Sequence, residues 1–217
     1  MSVQPAYSPS EADYPFLSTV AEIRLRVQQH LQRGALAPAP SAAAEIVLQL
    51  LGEALAFQLT RMRRYRKHAS RIAGTASAAL AAEFLQFSQE EQFQAARIAE
   101  RIVQLGGRHD AVPHGGTDHP QLENAEDETL AGIIEEDLIA ERIATDSYRE
   151  IIQYLREQDA TTQRLLESIL TVEEQHMAEL ANMRERLLRA GRATAMTITS
   201  EAGEAQRMHG NDQAQPE

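Results

Sequence analysis

The stretch SQEEQFQAARI, residues 88–98, places two polar side chains in the middle of an apolar helical face. Phe87 and Ile98 lie on this face at helical spacing and predict that it is turned towards a core. Glu91 and Gln94 lie on the same face. Because a buried carboxylate or amide without a partner is strongly unfavourable, other parts of the chain must supply groups that satisfy these two side chains.

The composition describes a chain that can bury one sizeable core. Its 217 residues suit one domain with extra segments, and 43% of them are hydrophobic. Cysteine is absent, which excludes disulfides and thiolate metal sites and fits a reducing compartment, so we expect a cytoplasmic protein. We expect neither export nor a membrane span, because there is no signal-peptide pattern and no run of about 18 apolar residues. The net charge of -11 disfavours nucleic acid as a partner and favours cations.

Helical periodicity predicts four long helices and a shorter one before them. The link between the second and third long helices is far longer than the other two links. The fold class is therefore all-α: a four-helix bundle with one long crossover, plus a short N-terminal helix. The long helices are expected at about residues 41–70, 76–105, 127–157 and 160–189.

The predicted helices divide the chain into four segments. Prolines and a lack of helical periodicity predict a flexible N-terminal arm, and small polar residues predict a flexible C-terminal tail. A capping-box pattern at Thr19–Glu22 predicts the start of the short helix, Gly34 its end, and Ser41 a cap for the next helix. The segments are the arm (1–16), the short helix with its linker (17–40), the helical bundle (41–190) and the tail (191–217).

Each of the four long apolar stripes is interrupted by polar residues near its middle. Mid-helix positions of antiparallel helices fall at one level, so these side chains are expected to converge in one layer. Three glutamate charges in a dry layer repel each other and need protons or a cation to persist, and a divalent cation is the natural partner. The interrupting residues are Gln58, Glu91, Gln94, Glu141, Glu173 and His176.

The spacing of Glu173 and His176 supports a metal site. The two residues lie one helical turn apart on one face, so both can reach a single ion. Carboxylate with imidazole suits iron, manganese or zinc. Taken singly, each of these polar residues is more often a tolerated core group, and a core histidine is more often only hydrogen-bonded. Their convergence is what favours the interpretation as ligands.

Four segments of the sequence resemble bacterioferritin-like and Dps-like members of the ferritin-like superfamily. The resemblance extends over about residues 20–185 and implies a ferritin-like bundle with a di-iron centre. In that family one Glu comes from each of the first and third long helices, and Glu-x-x-His comes from each of the others. The segments are LGEALAFQLTRMRRYRKH, EFLQFSQEEQFQAARIAERIVQLGG, IIEEDLIAERIATDSYREIIQYL and ILTVEEQHMAEL.

The resemblance implies that the metal centre of this chain is degenerate. Gln58 and Gln94 stand where the family has Glu and His, and both replacements fall on the same metal position. We therefore expect one iron ion per subunit at most, with manganese or zinc as alternatives, and an amide-to-amide hydrogen bond across the other position. The implied metal ligands are Glu91, Glu141, Glu173 and His176.

The resemblance also implies an iron-binding and iron-storage protein that assembles as a closed homo-oligomeric shell. A ferroxidase of this family uses two ferrous ions, so a centre with one ion is expected to have weak or no ferroxidase activity, and the sequence leaves open whether the protein is an enzyme. Haem is not expected, because bacterioferritins take an axial Met beside the ligand of the second long helix, and this chain has Gln92 there.

Two alternatives stand beside iron storage. One is a catalytically silent structural subunit that co-assembles with an active paralogue in a hetero-oligomer. The other is DNA protection, suggested by the basic stretch RMRRYRKHASR, residues 61–71. We interpret this stretch, Arg61 included, as a solvated or subunit-facing side of the helix, paired with acidic residues such as Glu135 and Glu136. Its charges surround the helix and form no single groove-reading face, so we do not expect nucleic-acid binding.

Overall fold

The computed structural model describes residues 15–36, 40–73, 78–108 and 129–210. All regular secondary structure within these ranges is α-helix, which confirms the all-α prediction. The helices are α1 (Pro15–Ala35), α2 (Pro40–Ala73), α3 (Ala78–Gln104), α4 (Leu130–Leu155) and α5 (Ala160–Gly210).

Helices α2 to α5 form a four-helix bundle. Helix α2 packs against α3 and α4, and α5 packs against the same two helices, so the four close around one core. Residues 105–129 separate α3 from α4, whereas only a few residues separate the helices of the other two pairs. The predicted single long crossover is therefore confirmed, although residues 109–128 lie outside the described part of the chain.

The core consists of two apolar clusters with polar residues between them. The first cluster includes Phe57, Ile98 and Ile169, and the second includes Phe87 and Leu180. Along α2, α3 and α5 the polar interruptions lie between residues of the first cluster and residues of the second. The polar layer therefore sits at mid-height, as the sequence predicts.

Helix α1 packs on the face formed by α2 and α4. It buries Phe16, Val20, Ile23 and Val27 there. The helix begins at Pro15, upstream of the predicted capping box, because the fixed φ of proline suits the first helical turn. Residues 19–22 are thus helical and do not cap α1.

The other predicted boundaries differ from the structure in two places. Helix α2 begins at Pro40, so Ser41 lies in its first turn and does not precede the helix. Helix α5 continues through Gly191 to Gly210, whereas the sequence predicts a tail from residue 191. This extension contains no proline, and each of its glycines costs a helix only about 1 kcal/mol. Residues 1–14 and 211–217 lie outside the described residues.

Part of α2 is long and apolar enough, by composition alone, to cross a membrane. This stretch is Ala43–Ala73, and 56% of its most apolar window is buried inside the bundle. Such burial is what a core helix of a four-helix bundle requires.

Candidate metal centre

The polar layer brings all six predicted residues into the interior. Gln94, at 5%, is the most exposed of them. Four of the six can each offer one ligand atom, and these atoms lie within 4.8 Å of one another. The four are Glu91 on α3, Glu141 on α4, and Glu173 and His176 on α5.

Arg61 on α2 lies in the same layer, where the sequence predicts no arginine or lysine. It is only 1% exposed, so its assignment to a solvated or subunit-facing surface is wrong. Its Nη2 lies 3.0 Å from Oε2 of Glu91 and 2.7 Å from Oε1 of Glu173. Its Nη1 lies 3.4 Å from Oε2 of Glu141, an ion pair without a hydrogen bond. One guanidinium therefore contacts all three carboxylates.

The two glutamines do not bond to each other as the sequence predicts. Nε2 of Gln58 donates to the Tyr148 hydroxyl at 2.9 Å and to Oε1 of Glu173 at 2.5 Å, and its Oε1 has no partner. Oε1 of Gln94 accepts from Nη1 of Arg97 at 2.8 Å. Charged partners form the stronger hydrogen bonds, so each amide turns to a charged group and away from the other amide.

One atom on each of the four candidate ligands is left without a hydrogen bond. These atoms are Oε1 of Glu91, Oε2 of Glu141, Oε2 of Glu173 and Nδ1 of His176. Nδ1 lies 3.4 Å from the Glu91 atom and 3.8 Å from the Glu173 atom. Buried polar atoms normally have a hydrogen bond, so the lack of one on an atom of all four residues, with only longer ion pairs between these atoms and their neighbours, marks the cluster as a candidate cation site.

The spacing of these atoms fits a small divalent ion. Ligands on opposite sides of an ion with bonds of about 2.1 Å lie about 4.2 Å apart. The 4.8 Å limit of the cluster therefore needs only a small contraction of the side chains. The donor set of carboxylates and one imidazole suits iron, manganese or zinc.

Two further contacts orient the candidate ligands. Nε2 of His176 lies 2.6 Å from Oε2 of Glu90, so a neutral imidazole that donates there presents its lone pair at Nδ1. The Tyr65 hydroxyl donates to Oε1 of Glu141 at 2.5 Å. Burial raises the pKa of Tyr65 well above its usual value, so this phenol stays a donor.

The layer is close to charge balance without a metal. Burial raises the pKa of Glu141 to about 7, and that of Glu173 likewise to about 7, although Arg61 opposes both shifts. Burial lowers the pKa of His176, but the attraction of Glu91 and the other two carboxylates outweighs it and brings the value to about 9. Near neutral pH, Arg61 and a protonated His176 thus face three carboxylates, two of which are partly protonated.

Arg64, further along the basic stretch of α2, forms ion pairs within the chain. Nε of Arg64 lies 2.7 Å from Oδ1 of Asp137, and Arg64 also pairs with Glu136, as the sequence predicts. Glu135 instead pairs with Arg184 on α5.

The comparisons with known proteins agree with this architecture. Residues 48–190 match the model of the ferritin-like domain family. The match spans more than half of the sequence, and the chain therefore belongs to the ferritin-like domain family. The comparison with curated proteins gives no significant match.

Two similar solved structures are bacterioferritins. The structure from Desulfovibrio desulfuricans, which describes its diiron site in different catalytic states, is 23% identical with a TM-score of 0.64 and matches over 75% of this chain and 91% of that one. The structure from Rhodobacter capsulatus has a metal-free dinuclear site and haem iron. It is 28% identical with a TM-score of 0.56, over 66% of this chain and 86% of that one. The predicted resemblance to bacterioferritin-like proteins is thus confirmed.

Proposed function

We propose that the protein binds and stores iron and that its degenerate ferroxidase centre holds one ion per chain. The observation that carries this proposal is the set of four ligand atoms in the buried layer that form no hydrogen bond. Membership of the ferritin-like domain family and the likeness to two bacterioferritins support iron as the metal. Manganese or zinc would fit the same donor set.

The four ligands have different roles in this proposal. Glu141 and His176 are the primary ligands. Glu91 and Glu173 support the ion through the oxygens that Arg61 leaves unpaired. Two-electron chemistry on oxygen needs a pair of ferrous ions, so a centre with one ion has weak or no ferroxidase activity.

The same proposal includes a cytoplasmic, closed homo-oligomeric shell without haem. Haem is left out because Gln92, the residue after Glu91, has no thioether to serve as an axial ligand. Titration of the protein with haem checks this point. Haem bound through axial methionine would give a characteristic Soret band, and we expect no such band.

Metal titration tests the one-ion centre directly. The protein, free of metal, is titrated anaerobically with Co²⁺ or Fe²⁺ in a calorimeter, and we expect one tightly bound ion per chain. Glu141→Gln and His176→Gln should each abolish this binding, because each removes a primary ligand. The matched control is Glu174→Gln, next to Glu173 but 47% exposed, which should leave binding unchanged. Two ions per chain, or none, would contradict the proposal.

A silent structural subunit is the second candidate function. The observation that favours it is Arg61, which contacts all three carboxylates and partly neutralises them without any metal. Oxygen consumption after addition of ferrous iron separates the two candidates. Uptake and slow oxidation by the protein alone support iron handling. No reaction until an active ferritin-like homologue is mixed in supports the structural role.

DNA protection gains no support from the described residues. Arg61 is buried in the polar layer, and Arg64 pairs with Asp137 and Glu136. A salt-sensitive gel shift with duplex DNA would be needed to revive this function.

A further inference from the structure

We infer that Arg61 is a built-in cation that fills the second metal position of the centre and limits the centre to one ion. This inference rests on the proposed function, because it explains why a site of this family would hold a single ion. Its evidence lies in how the oxygens of the carboxylates are divided.

Two carboxylates are shared between Arg61 and the candidate ion. Glu91 gives Oε2 and Glu173 gives Oε1 to Nη2 of Arg61, at 3.0 and 2.7 Å. The remaining oxygen of each carboxylate has no hydrogen bond. One oxygen therefore faces the guanidinium, and the other is available on the side of Glu141 and His176. Carboxylates divided in this way would each bind a guanidinium on one side and a metal ion on the other. Glu141 would hold the same ion after giving up its 3.4 Å ion pair with Nη1 of Arg61.

The side of Glu173 that faces Arg61 is already occupied by donors. Oε1 of Glu173 accepts from Nε2 of Gln58 at 2.5 Å and lies 2.7 Å from Arg61 Nη2. A metal ion that bound this oxygen would have to displace both groups. Gln58 therefore contributes a hydrogen-bond donor in place of a carboxylate ligand, because its amide and Arg61 contact the same oxygen of Glu173.

A guanidinium suits this role better than any other side chain. It stays positively charged at every physiological pH, and its planar fork presents several donors to carboxylates at once. Because it is covalently attached to α2, neither dilution nor a chelator can remove it. Its positive charge also repels a second metal ion at the same position.

The inference predicts that restoring the two missing ligands is not sufficient to restore two ions. We would compare the wild type, the double variant Gln58→Glu/Gln94→His, and the triple variant that adds Arg61→Ala. Anaerobic Co²⁺ titration, followed by calorimetry and by visible absorption, should give one, one and two ions per chain. Two ions in the double variant, or no gain in the folded triple variant, would overturn the inference.

A second measurement keeps the test valid if the triple variant does not fold. Arg61→Met retains much of the side-chain volume but removes the charge, and its melting temperature should fall and then recover on addition of Co²⁺. This recovery should exceed the Co²⁺ shift of the wild type, since the ion replaces the lost charge. The control is Arg63→Met, on the exposed side of the same helix, which should respond like the wild type. An equal shift in Arg61→Met and the wild type would refute the inference.

Failure of the proposed function would look different. A wild type that binds no ion would contradict the one-ion centre. If the wild type binds no ion but the triple variant binds more ions than the double variant, the proposed function fails. The inference that Arg61 excludes a metal ion is then still supported.

Discussion

We expect the protonation of His176 to control when the proposed centre can accept a metal ion. Its pKa is about 9, because the three carboxylates around it outweigh the effect of burial. A metal ligand must be deprotonated, so an ion that binds Nδ1 has to displace a proton at neutral pH. We therefore expect protons and metal ions to compete for the proposed centre.

Metal affinity should consequently rise with pH. Between about pH 6 and about pH 8, the apparent affinity for Co²⁺ should increase by up to about tenfold per pH unit for each proton released. The increase should be steepest below pH 7, where Glu141 and Glu173, with pKa values of about 7, also hold protons. Calorimetry in two buffers of different ionisation enthalpy counts the released protons. An affinity independent of pH would show that His176 is not a ligand.

Glu90 should tune the metal site without touching the ion. Its carboxylate lies 2.6 Å from Nε2 of His176 and fixes the ring with Nδ1 towards the cluster. Replacing such a partner typically lowers metal affinity about 10–100-fold, and we expect this for Glu90→Gln. The number of ions bound at saturation should not change, which separates a positioning role from a ligand role. Glu83→Gln, also on α3 and half-buried at 37% side-chain exposure, is the control.

At the scale of single residues, the sequence predicts the burial and convergence of the candidate ligands better than it predicts their hydrogen-bond partners. Glu91, Glu141, Glu173 and His176 lie at regular spacing on apolar stripes, so their convergence follows from helical geometry alone. The sequence does not predict a buried Arg61, because arginine is rarely buried. The apolar face of α2 also continues through Met62, the residue after Arg61. The spacing of three between Gln58 and Arg61 was the available signal.

Helix α5 begins with a cap that also ties it to α3. Oδ1 of Asp159 accepts from the backbone N–H groups of Thr161 and Thr162, and Nη2 of Arg101 lies 2.8 Å from Oδ2. Burial raises the pKa of Asp159, but the bonds from Thr162 and Arg101 outweigh this and lower it. This stabilisation is therefore present above the pKa of an unfolded Asp and is lost as the pH falls through the lower folded value.

Removal of this cap should weaken the bundle measurably. Asp159→Ala should lower the free energy of unfolding by about 1–2 kcal/mol at neutral pH, because two N–H groups of α5 lose their acceptor. Thermal or urea unfolding gives the value. Asp146→Ala, which breaks an exposed pair with Arg149, should change stability by less than about 0.5 kcal/mol. Equal effects of the two variants would rule out a capping role.

The packing of α1 on the bundle gives a second prediction at this scale. Ile23→Ala should cost about 2–5 kcal/mol, because it leaves a cavity where a fully buried side chain contacts the core. Leu25→Ala, two residues away and 55% exposed, should change stability by less than about 0.5 kcal/mol. If both variants melt together with the wild type, α1 does not contribute to the core.

The helices themselves are predictable within a few residues because their apolar periodicity is regular over long stretches. Their ends are less predictable. Pro15 starts α1 where a capping box four residues later looks stronger in sequence, and α5 passes Gly191 without a break. Local sequence signals at these positions are worth about 1 kcal/mol each, and the rest of the helix outweighs them.

The whole molecule carries a net charge of -11, and three carboxylates lie in the polar layer of its interior. We expect it to assemble into a closed shell whose light-scattering mass is many times that of one chain. Ferrous iron added in air should increase the sedimentation rate while the hydrodynamic radius stays constant, because mineral collects inside the shell. A monomer or dimer that precipitates with iron would contradict a storage cage.

The buried guanidinium also bears on how the molecule is made. Arg61 on α2 supplies a positive charge to the bundle interior. We therefore expect a newly synthesised chain to fold without first binding a metal ion. Subunits synthesised when iron is scarce should fold as readily as those synthesised when iron is abundant. Folded protein without iron would then be present when iron becomes available again.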